Sequence, residues 1–77
     1  MINNPKNKVR LGDFLGLLDR QMPIRVTIDS TNEVQQGIVY FVLMQFRGRD
    51  KILNTPVKSA ELAKTQFDAK TILDIHI

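Results

Sequence analysis

Ile38-Val39-Tyr40-Phe41-Val42-Leu43-Met44, entered through Gly37 and left through Gln45-Phe46-Arg47, is the longest unbroken apolar run in the chain. Its β-branched and aromatic content predicts a strand. In a strand the two alternating sets, Ile38/Tyr40/Val42/Met44 and Val39/Phe41/Leu43, point to opposite sides of the sheet, so both sides are apolar. One side is expected to lie under the chain's own helix. The other is expected to need a second cover, because a contiguous apolar patch on a monomer usually marks a binding surface.

Upstream of this run, Leu11, Phe14, Leu15 and Leu18 follow the i, i+3, i+4, i+7 spacing of one helical stripe. Gly12 is expected as N-cap, Asp13 in the first turn and Arg20 in the last turn, where the helix dipole favours each charge. Gly16 in the interior costs this helix about 1 kcal/mol relative to Ala, so its stability must come from packing. Pro23 pushes Met22 out of the helical region and ends the helix. Ile24, Val26 and Ile28 then alternate with Arg25, Thr27 and Asp29, the pattern of a strand with one buried face. Ser30 to Glu33 reads as a hairpin turn into a second strand from Val34 to Met44, with Gly37 as a bulge or a point of close approach.

Downstream, Arg47 to Thr55 reads as a loop with about one helical turn, whose Ile52-Leu53 pair plugs the core. Thr55 to Lys64 supports two readings. Thr55-Pro56 is a good helix start followed by helix formers, whereas Val57, Ala60 and Leu62 can feed a third strand. Phe67 to Lys70 reads as a turn, and Thr71 to Ile77 as a closing strand with Thr71, Leu73, Ile75 and Ile77 on one face and Ile72, Asp74 and His76 on the other. The predicted fold class is α+β, one N-terminal helix packed on a mainly antiparallel sheet of about four strands in the order α-β-β-β-β. Residues 1–8 are expected to be a flexible arm and 9–77 a single domain.

The chain has 77 residues, 43% of them hydrophobic and 25% charged, with a net charge of +3 and no cysteine. One domain of this size has a marginal core, and disulfide or thiolate-metal frameworks are excluded. No run approaches the roughly 18 apolar residues of a membrane span, and the polar Met1 to Lys6 does not read as a signal peptide, so a cytoplasmic location without membrane contact is expected. Positive charge concentrates at Lys6-Asn7-Lys8-Val9-Arg10 and at Arg47-Gly48-Arg49-Asp50-Lys51.

Leu11-Gly12-Asp13-Phe14-Leu15, Ile24-Arg25-Val26-Thr27-Ile28, Gly37, Ile52-Leu53, Val57-Lys58-Ser59-Ala60 and Leu73-Asp74-Ile75-His76-Ile77 appear in this order. The order resembles a family of small, largely uncharacterised proteins from phages and other mobile elements of Gram-positive bacteria. The resemblance spans about Val9 to the end and rests mostly on hydrophobic spacing; the run from Ile38 to Met44 is greasier than the family's usual second strand. It implies a strand over Val57 to Lys64, a phage or mobile-element origin, and a role in inhibiting or adapting a host protein such as a defence nuclease. It brings no catalytic or binding residues with it.

Chemistry-bearing patterns are sparse. Asp74 and His76 share a strand face, but a single His without Cys lacks the further ligands of a metal site and the nucleophile of a triad, so a solvated strand face is the expected reading. Gly12 and Gly16 form a small-xxx-small pair that reads as a cap plus a tolerated interior glycine. Neither a cofactor nor a small-molecule substrate is expected. The leading functional expectation is a non-enzymatic protein-interaction module, paired with a second copy through the sheet's second face or an edge strand, or with a host protein, using Val39, Phe41, Leu43 and Ile72. The alternative is a nucleic-acid-binding accessory protein that contacts phosphates through Lys6, Lys8, Arg10, Arg47, Arg49 and Lys51.

Overall fold

The computed structural model describes residues 9–65 and 70–77. The expected arm with Lys6 and Lys8, and Phe67 to Ala69 of the expected turn, lie outside the described residues. Among those described, the element order is α1 (Leu11–Gly16), β1 (Pro23–Ile28), β2 (Glu33–Ile38), α2 (Val39–Phe46), α3 (Asp50–Leu53), β3 (Ser59–Lys64) and β4 (Thr71–His76). The strands form one sheet in the order β2-β1-β4-β3. Its two outer pairings are antiparallel and its central pairing, β1 with β4, is parallel.

An α+β fold with a four-stranded sheet therefore matches the sequence reading, but the order α-β-β-β-β does not. Two helices stand between β2 and β3, and the apolar run from Val39 onward is the first of them. The reason lies in β1. In the hairpin register Ile38 faces Pro23, the first residue of β1, so β2 has no partner strand beyond that point. Past it the Met22 and Arg20 carbonyls accept only the first two N–H groups of the run, those of Val39 and Tyr40; a strand continued to Met44 would leave the remaining groups unpaired on that side, whereas a helix satisfies them internally. The change of direction occurs at Gly37, whose φ of +154° is a conformation L side chains rarely adopt. A Cβ built there would lie 2.8 Å from the Phe41 ring, so the site also has no room for one.

Helical periodicity then sorts the run. Val39, Val42 and Phe46, at i, i+3 and i+7, are fully buried. They meet Leu11 and Leu15 of α1 and the inward row of the sheet: Ile24, Val26 and Ile28 of β1, and Leu73, Ile75 and Ile77 at the end of the chain. Phe14, Leu18, Leu43, Ile52, Leu53 and Val57 pack around this centre. All three helices thus lie on one side of the sheet.

The α1 stripe is placed as its spacing predicts, and Asp13 occupies the first turn. The helix is shorter than expected, however. Gly16 ends it, Arg20 falls beyond its last turn, and Arg10 rather than Gly12 is the N-cap, with no side-chain cap bond. Gly12 has a different task. A Cβ there would meet the Leu53 carbonyl oxygen at 3.3 Å, so its bare backbone admits α3 beside α1. Residues 59–64 form a strand, as the resemblance implies.

If α2 is the helical wall of the core, its residues should respond to truncation by helical phase. Phe46→Ala is expected to cost about 3–5 kcal/mol, and Met44→Ala within about 0.5 kcal/mol. Gly37→Ala is expected to cost about 1–3 kcal/mol through backbone strain and the Phe41 contact. Urea unfolding monitored by circular dichroism measures all three; equal losses at 44 and 46 would contradict the placement.

Candidate functional site

Three surfaces hold the residues of interest: the helix-free face of the sheet, the basic loop around α3, and the outward side of α2.

On the helix-free face, the register sets Arg25 of β1 beside Asp74 of β4, and Thr27 beside His76. Arg25 Nε donates to Asp74 Oδ1 at 3.1 Å, and its terminal nitrogen lies 3.1 Å from Oδ2. His76 lies between two carboxylates, with Nδ1 3.0 Å from Asp29 Oδ1 and Nε2 3.4 Å from Asp74 Oδ2. Lys58 Nζ reaches the other oxygen of Asp29 at 3.4 Å. The result is an alternating row, Arg25–Asp74–His76–Asp29–Lys58, that ties β1, β4 and the approach to β3 together.

Only the imidazolium can donate from both ring nitrogens. The bond to Asp29, seconded by Asp74, accordingly raises the His76 pKa above its ordinary value, against an opposing desolvation effect. Asp29 is lowered chiefly by its bond to His76, and Asp74 chiefly by Arg25. Ser59 stands opposite His76 in the β3–β4 register. Because Nε2 is directed at Asp74, the imidazole is turned toward a carboxylate and not toward the hydroxyl, so the row works as a structural tie.

Around α3, Gly48, Arg49, Asp50, Lys51 and Ile52 line an open depression of about 490 Å³. Arg49 does not reach freely into it. Its guanidinium grips Glu33 of β2 with two bonds, of 2.6 and 2.9 Å, and sits 5.6 Å from the centre of the Phe46 ring. Arg49 holds the Glu33 carboxyl down to about 2, with help from Gln35. Arg47 and Lys51 are exposed, and Arg10 is exposed where it bridges to Pro56. The described basic residues expected to touch phosphate, Arg10, Arg47, Arg49 and Lys51, therefore do not share one environment: Arg49 clamps α3 to the edge of the sheet.

The expected interface set is also divided. Val39 is fully buried in the core, Leu43 is half-buried against it, and Phe41 lies over Gly37 with 45% of its surface exposed. Ile72 is buried on the helix-free face, the opposite side of the sheet from α2. The common face predicted for these four depended on a strand at 39–43 and is corrected by the helix. Exposed instead are Tyr40 at 50% and Met44 at 47%, one turn apart and adjacent to Phe41 on the outward side of α2. A strand puts both on the face opposite to Val39, Phe41 and Leu43; the same seven residues read at a period of 3.6 put them beside Phe41 on the outside.

Comparisons with known protein families, curated proteins and solved structures find no match. The surfaces therefore carry the functional argument alone. No helix among the described residues is long and apolar enough to cross a membrane.

The pH response of the polar row and of the Glu33–Arg49 clamp follows from their shifts. The depressed carboxylates contribute stability that is present above their unfolded pKa values, near 4, and is lost as pH falls through their folded values, about 2 for Glu33. The raised His76 contributes stability that is complete below about 6.5 and is lost as pH rises through its folded value. Thermal stability is thus expected to peak between about pH 5 and 6.5. An NMR titration should put the His76 midpoint above 6.5, and Asp29→Asn should lower it. A midpoint unmoved by Asp29→Asn would contradict the tie.

Proposed function

We propose that this chain is a non-enzymatic protein-interaction module, and that its contact surface is the outward side of α2. The observation that carries the reading is a helix that is apolar all round while one side alone is covered. Seven of the eight residues Val39-Tyr40-Phe41-Val42-Leu43-Met44-Gln45-Phe46 are apolar, and Tyr40, Phe41 and Met44 remain about half exposed. A helix of that composition is ordinarily buried on all sides. Aromatic residues and Met are enriched at interface centres, where Tyr supplies area with a polar tip and Met adapts its shape. The partner is a protein that offers an apolar groove to a single helix face. The resemblance to phage and mobile-element proteins supports a host protein, met in the cytoplasm and inhibited or adapted, as that partner.

The geometry favours this reading over phosphate contact by the basic loop. Arg49 is committed to Glu33, and Asp50 sits in the same loop.

A photoreactive phenylalanine analogue at position 40 or 44, introduced in cells that express the chain, tests the surface. The same protein adduct is expected from both positions and is expected to be absent when the probe replaces Thr31, in the exposed hairpin turn. Tyr40→Ser combined with Met44→Ser should abolish the adduct formed by a probe at Phe41 while leaving the far-ultraviolet spectrum intact. Adducts shared with position 31, or none at 40 and 44, would refute the assignment.

A further inference from the structure

The two edges of the sheet are not alike. β2 is bounded by the kink at Gly37 and by the Glu33–Arg49 clamp, and α2 packs against it. β3, at the other edge, has no described strand beyond it, and five of its six residues are exposed. Leu62, on the helix side of β3, is 69% exposed, because the helices lie over the opposite half of the sheet. Among the described residues this strand edge is uncovered, with an apolar residue near its middle.

Its backbone has a definite phase. Thr65 N–H bonds to the Lys70 carbonyl at 2.9 Å, immediately past the Lys64↔Thr71 pair. In an antiparallel ladder, hydrogen-bonded pairs recur at every second residue, so Ala63, Glu61 and Ser59 also turn their backbone groups toward β4. The N–H and C=O groups of Ala60, Leu62 and Lys64 therefore turn outward.

We propose that β3 pairs antiparallel with β3 of a second copy of this chain, about a two-fold axis through Leu62, and so joins two four-stranded sheets into one. The charges select this register. With the axis at Leu62, Leu62 meets its own mate, Ala60 faces Lys64, and Glu61 faces Ala63. Every outward backbone group of Ala60, Leu62 and Lys64 gains a partner, and the Lys64 stem can lie along the Leu62 pair. Moving the axis to Glu61 opposes two carboxylates in a closely spaced pair, which destabilises it. Moving it to Ala63 sets Leu62 against Lys64 and shortens the ladder. The axis at Leu62 also keeps both sets of helices on one side, so the two α2 surfaces remain open and this pairing is independent of the α2 reading. An interface of one strand lies at the small end of the range, so the association depends on concentration.

Charge exchange at the axis provides the test, since Leu62 is exposed and its replacement leaves the core intact. Sedimentation equilibrium of the full chain should show the mass rising from 8.8 kDa toward twice that value with concentration. Leu62→Lys and Leu62→Glu should each stay at the mass of one chain with unchanged circular dichroism, and an equimolar mixture of the two should regain the doubled mass. Tyr40→Ser with Met44→Ser should dimerise like the parent chain. A parent chain that keeps a single mass at its solubility limit would overturn the proposal. So would single variants that still dimerise, a mixture that fails to reassociate, or a dimer lost only in the α2 variant.

Discussion

The hydrogen-bonding reach of β1 is the constraint on which the rest of the structure depends. The strand begins at Pro23, opposite Ile38, and beyond that residue the upstream chain offers only the Met22 and Arg20 carbonyls, which accept from Val39 N–H and Tyr40 N–H. The most apolar stretch of the chain starts at that limit. Its backbone closes on itself as a helix, and one side of that helix becomes a wall of the core. The price of that arrangement is a second, greasy side facing water. Gly37 makes the transition sterically feasible, and Phe41 folds back over it.

Much of this was legible beforehand. The α1 stripe, the alternation of Ile24, Val26 and Ile28, and the inward row of Leu73, Ile75 and Ile77 all follow from local periodicity. Each of these elements buries one face, so its spacing carries the assignment. The run from Ile38 to Met44 is apolar at every position and therefore has no period to read. Only the length of β1 decides its structure, and that is a property of a different segment. The parallel pairing of β1 with β4 was equally hidden, since nothing in either strand's alternation states its neighbour. The partial misplacement of the interface residues follows directly. A surplus of apolar surface was visible in the composition, but which side chains form it depended on whether the period was two or 3.6.

The polar side of the sheet shows how a short chain organises charge without burying it. Arg25, Asp74, His76, Asp29 and Lys58 alternate in sign, and the two carboxylates and the imidazolium between them favour one another's charged forms. Pairs at this degree of exposure each add little to stability. Their effect is to fix registers: Arg25 with Asp74 aligns the central parallel strands, and Asp29 with His76 and Lys58 aligns the start of β3. Arg49 with Glu33 does the same between β2 and α3.

The position of β4 has a consequence for how the chain comes together. β4 follows the other three described strands in sequence yet lies inside the sheet, and its parallel pairing joins Arg25 to Asp74 across 49 positions. The hairpin of β1 and β2 with α2 forms from neighbours, but a two-stranded unit of that kind is marginal in water. The two halves therefore remain provisional until the final strand is inserted between β1 and β3. Loop-closure entropy must be met before the central ladder repays it, which places this small protein among the slower folders for its length. On a translating ribosome, that insertion waits until β4 itself has emerged.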